Sequence, residues 1–549
     1  MNMTAEAQIR SEAKMISCFN PATEAHLGDV AATSPEAVTV CVQRARAAQK
    51  QWAQSSFAQR RAVLQHIMDY VLEHADELCE QIAMDSGKTY ENAMLGEILP
   101  ICNKIKWTIK NGEKYLKPEK VGSGILMHKQ GRIEYQPLGV VACIIPWNYP
   151  LQNILSSLVA PLMAGNAVIL KASEMVAWSS AQFQRITDQA LRKEGFSPDL
   201  VQIINGYGDT GAALVRAGVQ KILFIGSVSN GRRIIEGSAE HLTPVVMELG
   251  GKDPFIVCGD ADLERAVHSA LGGSFINLGQ NCIASERVIV YESVFDRFVE
   301  SVTRHTAAMR QGVPDLTGSV DVGAITSPLQ IELIDRLVKS ALHAGARALT
   351  GGAIKVTEQG QFYPPTILID VTPEMEIATH EVFGPVMLVF KVKGEAEAIA
   401  LANGTEFGLH STVMSADSGK AERIASQLEV GATCINDFGL CYLNQNLPFG
   451  GVKYSGYGRM NGRDGLRAYT NPKAVMKDRF GWGVPPKLFP VRPGDYDKGR
   501  ETVRLLFSKS WRQKAISLLC LIKLAVLGGG KRSMVANNGA VKEYEGRGN

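Results

Sequence analysis

The sequence is short of cysteine, of aromatics and of long apolar runs. Ten cysteines are scattered over 549 residues, at Cys18, Cys41, Cys79, Cys102, Cys143, Cys258, Cys282, Cys434, Cys441 and Cys520. None falls in a C-x-x-C or in a Cys/His cluster of zinc spacing, which argues against zinc modules and disulfide scaffolds and suits free thiols in a reducing compartment. The apolar stretch 515–527 falls short of the ~20 residues that cross a bilayer. The N-terminal MNMTAEAQIRSEAKMIS has no apolar h-region, and its Glu6 and Glu12 argue against a mitochondrial presequence, so it is read as uncleaved. No fixed-period repeat and no low-complexity linker occurs. Aromatics are 7%, charged residues 21% and apolar residues 45%, which excludes wholesale disorder, collagen and coiled coil and leaves ample material for buried cores. At this length two or three packed units are expected.

The net charge of +3 is uneven. Residues 476–549 hold 15 Lys/Arg against 6 Asp/Glu, leaving 43 and 49 upstream, so a mildly acidic body of −6 carries a basic tail of +9. Such a tail suits an anionic membrane better than nucleic acid, because it also carries the apolar stretch 515–527. No nucleic-acid partner is expected.

Periodicity orders the chain. Between Pro35 and Tyr115 apolar residues recur at helical spacing, and RRAVLQHIMDYVLEHADELCEQIAMDSGK reads as an amphipathic helix closing at Gly87. Around Gln130-Gly131 an alternating pattern predicts a hairpin turn. Strand-like runs then alternate with helices through NAVILKAS, LVQIINGYG, KILFIGS and TPVVMELGG, as parallel strands with crossovers require, so 139–250 reads as a doubly wound α/β sheet. DPFIVCG, RVIVYES and later strands near Tyr363, Met387 and Ala432 make a second α/β unit of similar size. GWGVPPKLFPVRPGDY reads as an extended connector to the tail.

Several motifs mislead. Gly206-Tyr207-Gly208-Asp209-Thr210-Gly211 fits G-x-G-x-x-G, but 53 glycines produce such matches readily and no acidic residue sits where the dinucleotide fingerprint expects one. Ser86-Gly87-Lys88-Thr89 resembles the end of a P-loop, yet Ile82 stands where its leading glycine belongs. His380-Glu381 lacks a second histidine, and G-x-S-x-G is absent.

The informative tetrapeptide is Gly279-Gln280-Asn281-Cys282, on a polar loop after a helix. A lone cysteine more often packs than reacts. Three further motifs change that weighting: Glu248 ends an apolar strand before Gly250-Gly251-Lys252, Pro146-Trp147-Asn148-Tyr149-Pro150 ends another, and His380-Glu381-Val382-Phe383-Gly384-Pro385 follows a third region. Together, in this order and spacing, they resemble the aldehyde dehydrogenase superfamily from about Asn20 to Lys477. Further matches are Asn166 to Glu174, Phe224-Ile225-Gly226-Ser227, and Pro448-Phe449-Gly450-Gly451-Val452-Lys453 with Ser455-Gly456.

The resemblance implies an α/β aldehyde dehydrogenase-like fold: a Rossmann-like NAD-binding domain from 1–118 and 139–249, an α/β catalytic domain from 250–469, a small β oligomerisation element from 119–138 and 470–479, and a C-terminal extension from 480–549. It implies oxidation of an apolar, aliphatic aldehyde. Cys282 would attack the carbonyl, Asn148 and the Cys282 N–H would hold the oxyanion, and Glu248 would activate water to release the acid. Cofactor contacts fall to Ile145, Trp147, Lys171, Ser173, Glu174, Gly208, Phe224, Gly226, Ser227, Leu249, Glu381 and Phe383. Glu174 favours NAD over NADP by repelling a 2′-phosphate, with Lys171 able to offset that repulsion. No metal is implied; a homodimer or homotetramer is.

Ile225 stands where many relatives have Thr, His380 replaces a common Glu, and Ser156 replaces a large aromatic, which suggests a wide entrance. INDF (435–438), KDRF (477–480) and the tail are most similar to the membrane-associated branch known from plants and fungi, whose N-terminal anchor this sequence does not show. The expected location is cytoplasmic, with contact to the cytosolic face of endomembranes through 501–532. Two other readings keep the fold: an idle membrane-associated scaffold, and a CoA-acylating enzyme, which would not need Glu248. Cys143, Cys258 and Cys434 lie in apolar runs and are read as core thiols, while Cys441 stays open.

Overall fold

Strands buried on both faces are written as unbroken apolar runs, and two sheets here are built from them. Val140–Ile144 and Ala167–Ala172 are buried at every position. They lie at the centre of a six-stranded sheet ordered Gly456–Tyr457, Val245–Leu249, Lys221–Gly226, Val140–Ile144, Ala167–Ala172, Val201–Asn205 in the computed structural model, which describes residues 14–354, 359–480 and 489–526. Five of these strands run parallel, and Gly456–Tyr457 pairs antiparallel with Val245–Leu249 at the edge. The register sets Ile144 beside Lys171 and Phe224, and Ile225 beside Glu248, so the segments following these strands emerge side by side at one edge. In an open parallel sheet that carboxyl edge is where ligands bind.

Four residues after Val245–Leu249 the chain enters a second sheet of seven strands, ordered Arg347–Thr350, Thr366–Ile369, Val386–Val392, Arg287–Tyr291, Pro254–Val257, His410–Met414, Ala432–Ile435. All its neighbours are parallel except Arg347–Thr350. One large apolar core sits around the first sheet, and separate clusters cover the faces of the second. Backbone proximity groups both sheets in one compact unit, residues 14–118 with 134–473; 119–133 and the described residues from 474 onward make another.

Two sequence expectations need correction. The predicted helix ending at Gly87 is two helices, Phe57–Glu73 and Ala75–Ser86, divided at His74, whose backbone leaves the helical region. Gly87 does close the second, in the left-handed conformation at φ 75°. The predicted turn at Gln130-Gly131 lies instead inside the strand Lys129–Pro137. Gly131 pairs with Val121, and a Cβ there would stand 2.9 Å from the Val121 side chain, so the glycine serves close approach; the turn falls within 122–128, where Gly124 has φ +57°.

In the second unit, the helices Asp495–Phe507 and Trp511–Val526 pack against each other. Their buried residues are polar: Ser517 Oγ donates to Glu501 Oε2 at 2.8 Å, while Arg500 and Arg504 each reach Oε1 at 3.0 Å. The apolar residues turn outward, with Leu519 65% and Ile522 52% exposed. Among the described residues no helix is long and apolar enough to cross a membrane. Leu527, Lys531, Arg532 and the first half of the expected connector lie outside the described residues.

Candidate active site

Three turns at the carboxyl edge of the first sheet and several loops of the second half line one cavity of about 1170 Å³. Pro146, Trp147 and Asn148 follow the strand Val140–Ile144, and Pro150 starts the helix Pro150–Ala164, where its fixed φ and missing N–H cost nothing. Gly226 and Ser227 follow Lys221–Gly226, and Ser227 caps the helix Val228–Ser238 by accepting from Asn230 N. Glu248 and Leu249 end their strand.

The nucleophile loop is wound tightly. Asn277 and Leu278 both adopt positive φ, 51° and 54°, a conformation that costs non-glycine residues ~1 kcal/mol or more. Hydrogen bonds hold it: Asn277 N donates to Asn92 Oδ1 at 2.8 Å, and Asn277 Nδ2 donates to Asn148 O at 2.9 Å. Glycines let backbone meet backbone around it. A Cβ on Gly279 would lie 2.1 Å from Gly384 O, and one on Gly251 would lie 2.6 Å from Cys282 O. Cys282 is thereby seated beside the end of the Glu248 strand. The Asn148 side chain reaches the same loop, donating through Nδ2 to Gln280 O at 3.1 Å.

Burial governs the charges. It lifts the Glu248 carboxyl to about 7, opposed by hydrogen bonding from the Cys282 thiol, and Glu248 Oε1 has no hydrogen-bond partner. Burial first and then the Glu248 carboxylate push the Cys282 thiol well above its ordinary value. Glu381 is lifted to about 8 by burial and the neighbouring Glu286, although Gly251 N donates to its Oε1 at 2.9 Å. Glu248 is therefore no solvated strand-end acid: it is 2% exposed.

Of the residues singled out from sequence, Trp147, Asn148, Gly226, Ser227, Glu248, Leu249, Cys282, Glu381 and Phe383 line this cavity. Six do not. Lys171 and Glu174 form an ion pair at 3.2 Å at the end of the neighbouring strand, with Ser173 between them capping the turn Glu174–Val176. Ile145 N donates to Lys171 O at 3.1 Å. The Phe224 ring lies under Gly226, where a Cβ would approach to 2.7 Å. Gly208 begins the helix Gly208–Arg216 with open space beside its Cα.

Sequence reading missed other members. Lys88, discarded with the false P-loop, is fully buried; it pairs with Glu97 and donates to Asn148 O at 2.8 Å. Glu97 sits in a π-helical turn, Met94–Ile98, and its Oε2 accepts from Leu151 N at 2.8 Å and Gln152 N at 3.1 Å. Only the Gly-Lys step itself hinted at this brace. Tyr442 also lines the cavity, against Phe449 at 4.9 Å and in hydrogen-bond contact with Gln152. Phe438, Leu440 and Leu443 continue that apolar wall, with Ser156 among the cavity residues. Cys434 is buried, as expected of a core thiol, and it has company: His410, Cys434 and Cys441 cluster together.

Residues 9–475 match the sequence profile of the aldehyde dehydrogenase family. An aldehyde dehydrogenase-like protein of Schizosaccharomyces pombe is 38% identical over 485 residues, 87% of this chain and 92% of that protein. The 4,4′-diapolycopene aldehyde oxidase of a Methylomonas species is 36% identical over 485 residues, 88% of this chain and 89% of its own. Among solved structures, betaine aldehyde dehydrogenase from Staphylococcus aureus, in complex with NAD+, superposes with a TM-score of 0.81 at 29% identity, covering 87% of this chain and 96% of that one.

Proposed function

The chain belongs to the aldehyde dehydrogenase family, and from that premise we propose that it oxidises an apolar aldehyde to the carboxylic acid with NAD through a covalent intermediate on Cys282. The observation that carries this reading is the meeting, in one cavity, of a thiol, a buried carboxyl lifted to about 7 with one oxygen unpartnered, and an amide donor.

The residues present suit a dinucleotide. Gly226 and Ser227 open the eleven-residue helix Val228–Ser238 toward the cavity, a setting that favours a pyrophosphate. The Glu174 carboxylate, partly exposed beside Lys171, can accept ribose hydroxyls and disfavours a 2′-phosphate. Bound NAD supplies an acceptor for the aldehyde hydride. The chain does the rest. Glu248 takes the thiol proton, and the Cys282 thiolate adds to the carbonyl carbon. The resulting oxyanion lies within reach of the second Asn148 N–H, a donor typically worth ~3–4 kcal/mol. Glu248 yields that proton to solvent before hydrolysis; at the thioester it takes a proton from water, the hydroxide releases the acid, and Glu248 returns this proton to the Cys282 thiolate. The aromatic and leucine wall formed by Phe438, Leu440, Tyr442, Leu443 and Phe449 supports an apolar substrate.

The test is nicotinamide reduction by purified protein over a chain-length series of aldehydes, read as kcat/KM. Rising values with chain length are expected; a preference for small polar aldehydes overturns the substrate class, absolute CoA dependence overturns the hydrolytic cycle, and no turnover favours the scaffold. NAD preference should narrow in Glu174→Gln. The outward apolar side chains and basic flanks of the helix pair in 495–526 support peripheral contact with an anionic membrane from the cytoplasmic side. Exposed Ile125, Leu126 and Met127 near the strand pair support assembly as a homodimer or homotetramer.

A further inference from the structure

The cluster of His410, Cys434 and Cys441 has no part in the chemistry above. His410 begins the strand His410–Met414, Cys434 lies on the adjacent strand Ala432–Ile435, and Cys441 lies in the short helix Leu440–Leu443 that follows. The two Sγ atoms stand 3.1 Å apart. Cys434 Sγ is further approached by His410 Nε2 at 3.3 Å and by Cys441 N at 3.3 Å, two groups able to donate to a thiolate. Cys441 Sγ donates to Thr433 O at 3.2 Å; Cys434 is buried and Cys441 half-buried, so the pair is open to solvent on the Cys441 side. The Cys441 side-chain hydrogen bond first, opposed by burial, and then His410 lower the Cys434 thiol below its ordinary value, with Cys441 N adding least.

Two occupations compete. Two thiolates on one zinc stand about 3.8 Å apart, given Zn–S bonds of ~2.3 Å in tetrahedral geometry, and a closed site needs four ligands. The cluster offers three, with sulfurs already closer than that. We propose that Cys434 and Cys441 are a reversible redox pair, oxidised to an intramolecular disulfide by hydroperoxides, and that the link clamps the segment 436–443 against the strand carrying Cys434. The Cys434 thiolate attacks the peroxide O–O bond, giving a sulfenic acid, and the departing oxygen takes a proton to leave as water or alcohol. The Cys441 sulfur then displaces the hydroxyl, which leaves as water with the Cys441 proton. Two electrons pass from the sulfur pair to the peroxide. A dithiol reverses the link. Because Phe438, Leu440 and Tyr442 line the cavity, the clamp acts on the wall assigned above to the aldehyde, and this consequence rests on that functional reading.

The chemistry is tested apart from activity. In Cys282→Ser protein treated with hydrogen peroxide, non-reducing peptide mapping is expected to show Cys434 and Cys441 joined with loss of two hydrogens, reversed by dithiothreitol. His410→Gln should slow linkage several-fold. Both thiols remaining open to alkylation, at a peroxide dose that oxidises Cys282 in the unaltered protein, overturns the pair. Stoichiometric zinc in the isolated protein, lost in Cys441→Ser, overturns it in favour of a metal site. With Cys282 shielded by NAD, peroxide should change the aldehyde KM several-fold in the unaltered protein and leave Cys441→Ser unchanged. Linkage with an unchanged KM removes the clamp.

Discussion

A thiol that its surroundings hold protonated needs a proton acceptor, and at Cys282 that neighbour is Glu248. Replacing the thiol leaves the surrounding loop intact, so Cys282→Ala should lose nearly all turnover, by ~10³-fold or more, while NAD binding followed by fluorescence persists. Glu248→Gln removes the acceptor from both halves of the reaction: the burst of nicotinamide reduction should be strongly slowed at neutral pH and partly regained as pH rises, and steady-state turnover should stall at the thioester. The pH dependence has a definite sign. Below about 7 the Glu248 carboxyl is protonated and cannot accept a proton, so steady-state kcat should fall as pH drops through that value, and Glu248→Gln should flatten this limb. The identities of these groups were legible because each lies in a contiguous motif. Their electrostatics were not, because Glu248 is lifted by burial beneath segments distant in sequence.

At the scale of elements, the turn carrying Asn148 is held from below by Lys88 and Glu97, both fully buried. Removing one charge strands the other in a dry site, which typically costs ~3–5 kcal/mol. Lys88→Met should therefore lower stability by about that much in chemical denaturation, and the double change with Glu97→Gln should regain part of it. Both should lower kcat through misplaced Asn148. Beyond the Gly-Lys step, no sequence signal announced the pair, since Lys88 follows one helix and Glu97 lies in a π-turn before the next. Strands were easier. Short, β-branched apolar runs such as Val140–Ile144 read as central strands, whereas Gly131 reads as a turn until its partner Val121 is seen.

For the whole molecule, alternation of strands and helices was enough to expect two α/β halves, and the two sheets follow that pattern. The tail was half legible: its apolar run predicts a helix, but not that Glu501 and Ser517 would be the buried residues and the leucines the exposed ones. Truncation after Tyr496 should abolish co-sedimentation with anionic liposomes, itself weakened by salt, and leave activity on short aldehydes; equal partitioning of both forms would remove the membrane contact. The passage from one sheet to the other takes only residues 250–253, and its first residue, Gly250, lines the cavity. Gly250 is pressed on by Glu381 and Gly251 by Cys282 O, so this joint has no slack for an added methyl. The two sheets are thus joined within three residues of Glu248, against the backbone of Cys282, so a substitution that lengthens or swells this joint should disturb the spacing of proton acceptor and nucleophile before it disturbs either sheet.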